Sequence, residues 1–451
     1  MSMRKRLSIS SSRSESPLVF ASASNADSEE WTKAWQEVLA RDLIDSPVVA
    51  VAADTTVEDA CDLLLSEQLA CVAIKSRPTT PPDNALYHGL FDLADVNAFL
   101  TFAATRHRLA SEELREQPRV QEILAAAKAG RVPVYLVSNL SEKNPLETLP
   151  YNATLISVLS VFARGTHRVL IRSEASSDEY LGMVSDRRLL SWFTSYAQRN
   201  PSFLRFLANP LSSLALPSMY LYLSVVAAKA TDSVLDAMKL MSDQGVSTIA
   251  VIEEEAGNLL SAVSVTDIGK IVVPAQNNQI LSMPLHQFVA LIKEPDGSTD
   301  GVDKFPVYSV SPSCTLYYTM NKLLATASHR LFVTDDSPVS SPTFPPTSTG
   351  SLSGIVSTVD VLSLFARIAN LPVDPTRMQR HRRASSASGS SSQSSSSRSS
   401  DQGSFGVPRS RSSSRTSLGR LSVSAGDTKS LRNSVSSLDS FQWAERVPER
   451  K

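Results

Sequence analysis

The sequence predicts an α/β protein: four tandem modules forming two pairs, flanked by disordered, Ser-rich termini. Three observations carry that prediction. One order of elements recurs four times: a hydroxyl residue, a helix-like run, a short apolar strand, a small residue and a second helix start. Both ends of the chain are crowded with serine. Between them, a chain of 451 residues with 42% hydrophobic content exceeds one typical core and suits several packed units.

The elements follow in order. Residues 1–28 are poor in large apolar side chains and read as disordered, because such a segment cannot offset its ordering entropy by burial. Residues 29–100 form the first module with a leading helix, "EEWTKAWQEVLARDLI", whose Trp31, Trp35, Val38 and Leu39 fall on one face. Residues 101–130 read as a helical linker stopped at Gly130. The second module spans 131–199, the third 200–275, and the fourth 276–370 with "EPDGSTDG" and "TFPPTSTGS" as inserted loops. Residues 371–451 read as a disordered basic Ser-rich tail with one short candidate contact, "LDSFQWAERV".

The repeat is sharpest in the second half of each module: "HGLFDLAD", "GMVSDRR", "SAVSVTD" and "GIVSTVD". Gly89, Gly182, Ser261 and Gly354 align, then Asp92, Ser185, Ser264 and Ser357, then Asp95, Arg188, Asp267 and Asp360. In "GIVSTVD" the apolar pair completes a strand, Ser357 caps the next helix, and Asp360 stands where a capping box wants an acid. Each aspartate therefore has two compatible readings, a helix cap and a ligand carboxylate. The second copy breaks the pattern: a guanidinium at Arg188 is donor-only where a carboxylate would accept.

Several function classes are excluded or left without support. Cys61, Cys71 and Cys314 are too scattered for a disulfide framework or zinc site, and the six histidines show no metal-ligand spacing, so no metal is expected. The longest apolar run, "LALPSMYLYLSVVAA", is short of a membrane span, and the start lacks a secretory signal; a reducing intracellular compartment fits. No Walker loop, dinucleotide fingerprint, kinase loop or nucleophile elbow occurs, so no enzyme is expected and no catalytic residue is assigned.

The four segments resemble tandem CBS domains, small α/β modules that associate in pairs, over roughly residues 38–370. The whole layout is similar to the fungal SDS23 family of four-CBS regulatory proteins. That resemblance implies a non-catalytic role in cell separation, DNA replication, mitotic progression and stress responses, by restraint of a type 2A-like protein phosphatase, in cytoplasm and nucleus. CBS clefts can hold adenosine ligands, so it further implies AMP, ADP or ATP as optional regulatory ligands and no required cofactor. It nominates Asp95, Asp267 and Asp360 for ribose, and Thr56, Thr154, Thr231 and Thr315 for phosphate or ribose. "THRVLI" and "SHRLFV" also resemble the His-Arg step of the gamma subunit of the AMP-activated kinase family, which nominates Arg168 and Arg330 for phosphate. A salt bridge to the acidic body is the other reading of each arginine. A fixed, ligand-independent scaffold is the alternative function, and homodimerisation is left open.

From residue 376 onward the net charge is +9, leaving −10 on the remainder. Ser8, Ser385 and Ser417 each follow basic residues, the pattern basophilic kinases read, and phosphorylation there would discharge the tail's attraction to the body. The basic residues lack an aromatic platform, so direct nucleic-acid binding is not expected. Phosphatase or kinase machinery is the expected partner, again by resemblance.

Overall fold

A computed structural model describes residues 24–77, 86–105, 118–174, 179–216, 218–219, 225–254, 259–273, 278–293, 308–334 and 352–372. Ser8, Ser385, Ser417, "LDSFQWAERV" and both inserted loops lie outside the described residues.

Helix α1 (Asn25–Gln36) opens the described chain. The first module is β1 (Ala50–Val51), α2 (Val57–Ser66), β2 (Val72–Lys75), β3 (Tyr87–Phe91) and α3 (Leu93–Thr105). Helix α4 (Pro118–Lys128) then leads to the second: β4 (Thr148–Pro150), α5 (Leu155–Phe162), β5 (Arg168–Arg172), β6 (Tyr180–Ser185) and α6 (Asp186–Arg199). After α7 (Pro201–Leu207) comes the third: β7 (Ala227–Lys229), α8 (Val234–Asp243), β8 (Thr248–Ile252), β9 (Leu259–Ser264) and α9 (Val265–Ile271). Helix α10 (Leu285–Lys293) precedes the fourth: β10 (Ser309–Val310), α11 (Leu316–Ala325), β11 (Arg330–Thr334), β12 (Leu352–Ser357) and α12 (Thr358–Ile368).

Each module thus repeats one β-α-β-β-α order, with a three-stranded sheet in which the first strand runs parallel and the third antiparallel to the middle one. The likeness extends to single residues. The register slips at the same place in all four sheets: Ile74/Lys75, Ile171/Arg172, Val251/Ile252 and Val333/Thr334. Opposite the residue before each slip stands the small residue of the repeat, Gly89, Gly182, Ser261 or Gly354. Two of these glycines are required by close approach. A Cβ on Gly354 would lie 2.1 Å from the Met219 carbonyl oxygen, and one on Gly182 would lie 2.8 Å from that of Ser46.

The modules close into a ring. Sheet faces join the first to the second through Cys71, Ala73, Leu90, Leu170 and Met183. They join the third to the fourth through Ala250, Leu259, Phe332, Leu352 and Ile355. Helices join the pairs: α3 packs on α8 and α9, linking modules one and three. Helix α12 packs on α5, and α11 on α6, linking modules two and four. The largest aromatic cluster sits in this second helical seam. Trp35 is fully buried, with ring centroids 5.0 Å from Phe193, 5.8 Å from Phe203 and 6.2 Å from Phe365.

That cluster corrects one expectation. Helix α1 precedes module one in the chain but packs on modules two and four. Its two tryptophans demand more apolar surface than an isolated module offers, and the aromatic seam supplies it. The leading and intervening segments also follow a rule. Leu39 bridges Thr154 and Pro133 bridges Thr56; in the second half, Pro210 bridges Thr315 and Pro284 bridges Ser233. In each half, the segment ahead of the pair docks on the pair's second module and the segment after the first module docks back on that module.

Candidate functional site

Three of the four modules carry the signature aspartate, two of them in a capping box. Ser264 and Ser357 cap α9 and α12, and each receives the reciprocal bond from Asp267 or Asp360, completing a capping box. Asp267 Oδ2 accepts from the Ser264 backbone N–H at 2.8 Å and from its hydroxyl at 2.6 Å. Asp360 does the same with Ser357, and its Oδ1 also accepts from the Ser218 hydroxyl at 2.7 Å. Asp360 is buried; burial pushes its carboxyl up, and the hydrogen bonds from Ser357 and Ser218 oppose that. Asp95 is buried as well. It accepts from the backbone N–H groups of Asn139 and Ser141 at 3.1 and 2.8 Å. Burial and the neighbouring Asp92 carboxylate push it up to about 8. Asp95 and Asp360 thus spend both oxygens on the protein, whereas Asp267 uses one among the described residues.

The second module, with Arg188 at this place, solves the capping problem from outside. Asp45, on the segment that pairs with β6, accepts from the Ser185 backbone N–H at 3.2 Å and from the Ser185 hydroxyl. Ser185 in turn caps the Arg188 N–H at 3.1 Å. The missing internal acid is thereby replaced by one 140 residues away in sequence.

Among the pre-helix hydroxyls, Thr56 and Thr315 cap their helices, while Thr154 holds the cap position without a side-chain bond. In module three the cap is Ser233 and not Thr231. Thr231 is exposed, with its hydroxyl 3.3 Å from Glu254. The Ser233–Asp236 capping box in "TDSVLDAM" was the available signal, and the threonine two residues earlier masked it.

A cavity of about 650 Å³ opens where the four modules meet. Asp92 from module one lines it, with Lys143 from the intervening segment. His167, Arg168 and Arg187 come from module two, Asp267 and Lys270 from module three, and His329 from module four. Arg168 opens β5, pairs in register with Ser185 and lines the cavity. Arg330, the equivalent residue of β11, is not part of this lining. Its Nε has no hydrogen-bond partner among the described residues, and burial brings its guanidinium down to about 10, with Asp360 opposing. Arg187 Nε is likewise without a hydrogen-bond partner among the described residues. The lining therefore holds four permanent cations against two carboxylates, in a concave and partly desolvated space where charge counts more than in bulk water. Lys143, Arg187 and Lys270 were not legible in the sequence, because they stand on an intervening segment and on helices of two different modules, outside the aligned positions of the repeat.

At one wall, His167 Nδ1 lies 2.7 Å from Asp186 Oδ2, and His329 Nδ1 lies 3.4 Å from the same oxygen. The two imidazole centroids are 4.4 Å apart. Burial, then the neighbouring His329, bring His167 down to about 4. Burial alone would raise Asp186, but His329 and His167 hold it well below the usual carboxylate range.

The third of the four modules matches a known family, and the other three repeat its order of elements. The CBS domain family model matches residues 223–273, the third module. Over most of its length the chain is SDS23-like. It is 29% identical to protein sds23 of Aspergillus niger over 399 residues, 77% of this chain and 76% of that one. It is 32% identical to protein sds23 of Aspergillus clavatus over 322 residues, 70% of this chain and 59% of that one. Among solved structures, it aligns with an archaeal homologue of g-AMPK from Methanocaldococcus jannaschii at a TM-score of 0.48 and 15% identity, across 73% of this chain and all of that one. Among the described residues no helix is long and apolar enough to cross a membrane.

Proposed function

We propose that the chain is a non-catalytic regulator whose central cavity takes an adenine nucleotide, with the phosphates toward Arg168, Arg187, Lys143 and Lys270 and the ribose toward Asp267. The observation that supports this reading most is the lining itself: four cations, one carboxylate with an oxygen to spare, and residues from all four modules facing one space of about 650 Å³. Arginine suits the phosphate because its guanidinium keeps its charge and offers paired donors. A ligand touching all four modules would change their relative stability, and that differential contact is what coupling to a partner requires. Asp95 and Asp360 are already engaged by protein donors, which concentrates the reading on one site.

Restraint of a type 2A-like phosphatase, roles in cell separation and mitotic or stress control, residence in cytoplasm and nucleus, and control through phosphorylated tails rest on the SDS23 resemblance. The experiment is calorimetry on the full chain with ATP, ADP and AMP, alongside Arg187→Ala and Asp267→Ala. Saturable binding weakened in both variants is expected. No saturable binding below about millimolar, the weak end of specific affinities, would leave the ligand-independent scaffold.

A further inference from the structure

We propose that His167, Asp186 and His329 form a binding site for a borderline divalent cation of the zinc class, bridging the second and fourth modules. Three donor atoms, one nitrogen from each imidazole and one carboxylate oxygen, lie within 4.8 Å of one another. They converge on a point: both nitrogens face the same Asp186 oxygen, at 2.7 and 3.4 Å.

The ligand set fits that chemistry. Two imidazoles with one carboxylate suit zinc, cobalt or nickel, whereas calcium and magnesium want oxygen ligands. Three protein ligands leave a tetrahedral ion one further position, for water or for an anion from the adjoining cavity. Both ligand types hold a metal in their deprotonated form, as neutral imidazole and carboxylate.

The placement is specific to one seam of the ring. His167 and His329 hold equivalent positions just before β5 and β11, where the following helix starts: the Asp186 N–H donates to the His167 carbonyl, and the Thr358 N–H donates to that of His329. At the matching position of module three stands Ser247, whose carbonyl accepts from Val265, and that of module one is Cys71, just before β2. Asp186 is buried with a 2% exposed side chain, and both histidines face the same one of its oxygens. His329 Nδ1 has no hydrogen-bond partner among the described residues, and the atom it faces at 3.4 Å is the Asp186 carboxylate oxygen. The neighbouring Lys143 and Arg168 disfavour a bare cation, so the ion would bind more tightly with an anion in the cavity.

The test uses the untagged, chelator-stripped full chain titrated with Co²⁺ alone, read by visible absorption, with Zn²⁺ as competitor. One equivalent giving the intense bands of tetrahedral cobalt, abolished by Zn²⁺, is expected. His329→Gln, at a half-exposed position, and His167→Gln are expected to weaken binding by more than about tenfold while circular dichroism stays native. Co²⁺ spectra that are absent in the wild type, or that persist unchanged in both variants, would overturn the site. Inorganic phosphate added to the cobalt complex is expected to shift the bands; this arm is independent of whether nucleotides bind.

Discussion

Asp45 offers the sharpest check on how the modules are built. Asp45→Ala removes two acceptors from Ser185, the backbone N–H at 3.2 Å and the hydroxyl, while leaving the Ser185 bond to Arg188 N–H in place. A helix cap is worth about 0.5–2 kcal/mol. The Asp45 contacts are solvent-exposed and water replaces part of them, so the loss should be about 1 kcal/mol. The informative variant is Asp45→Ala with Arg188→Asp. An acid at 188 stands where Asp267 and Asp360 stand, and it can close the capping box from within. The double variant should therefore recover most of the loss, giving an interaction energy of about 1 kcal/mol in a double-mutant cycle. Urea unfolding with m-values compared across the four proteins is the assay. Strict additivity would refute the idea that Asp45 stands in for the missing acid.

Three other outcomes follow from the geometry. Gly354→Ala drives a Cβ to 2.1 Å from a backbone oxygen and should cost at least about 2–3 kcal/mol, while Gly89→Ala meets only the Ser138 hydroxyl at 3.3 Å and should cost under about 1 kcal/mol; thermal melts separate the two. Trp35→Ala should destabilise by about 3–5 kcal/mol, but Trp35→Phe by much less, because the buried indole N–H has no hydrogen-bond partner among the described residues and leaves with the ring; chemical unfolding compares them. Asp95 is raised to about 8 in the fold, against an ordinary value near 3.9 in the unfolded chain, so the folded state holds the extra proton between these limits. Its contribution is full below about pH 4 and is lost as pH rises toward 8. Unfolding measured across that window should show the decline, and Asp92→Asn, which removes the neighbouring charge, should flatten it.

Local chemistry made much of this molecule legible. A strand that ends in Ser and is followed three residues later by Asp announces a capping box, and Ser264–Asp267 and Ser357–Asp360 form one. The resemblance nominated Thr231 as the hydroxyl ahead of the module-three helix, but Ser233 starts that helix, since two hydroxyls within three residues compete and only packing selects the helix start. Trp31 and Trp35 were readable as one helix face, but not as the face that would cover Phe193 and Phe203.

The short strand that opens each module emerged only in the structure, while the sequence by itself determined the helix-strand-strand-helix part of the repeat, most of its capping residues and the anomaly at Arg188. All of these depend on neighbours within a few positions, where side-chain spacing and backbone hydrogen bonding act directly. Only the tertiary structure decided which module meets which, and therefore the cavity, the convergence of His167 and His329 on Asp186, and the rescue of Ser185 by Asp45. Those contacts join residues far apart in the chain. They arise because each sheet and helix face must bury its apolar side against another, and that requirement closes four similar units into one ring.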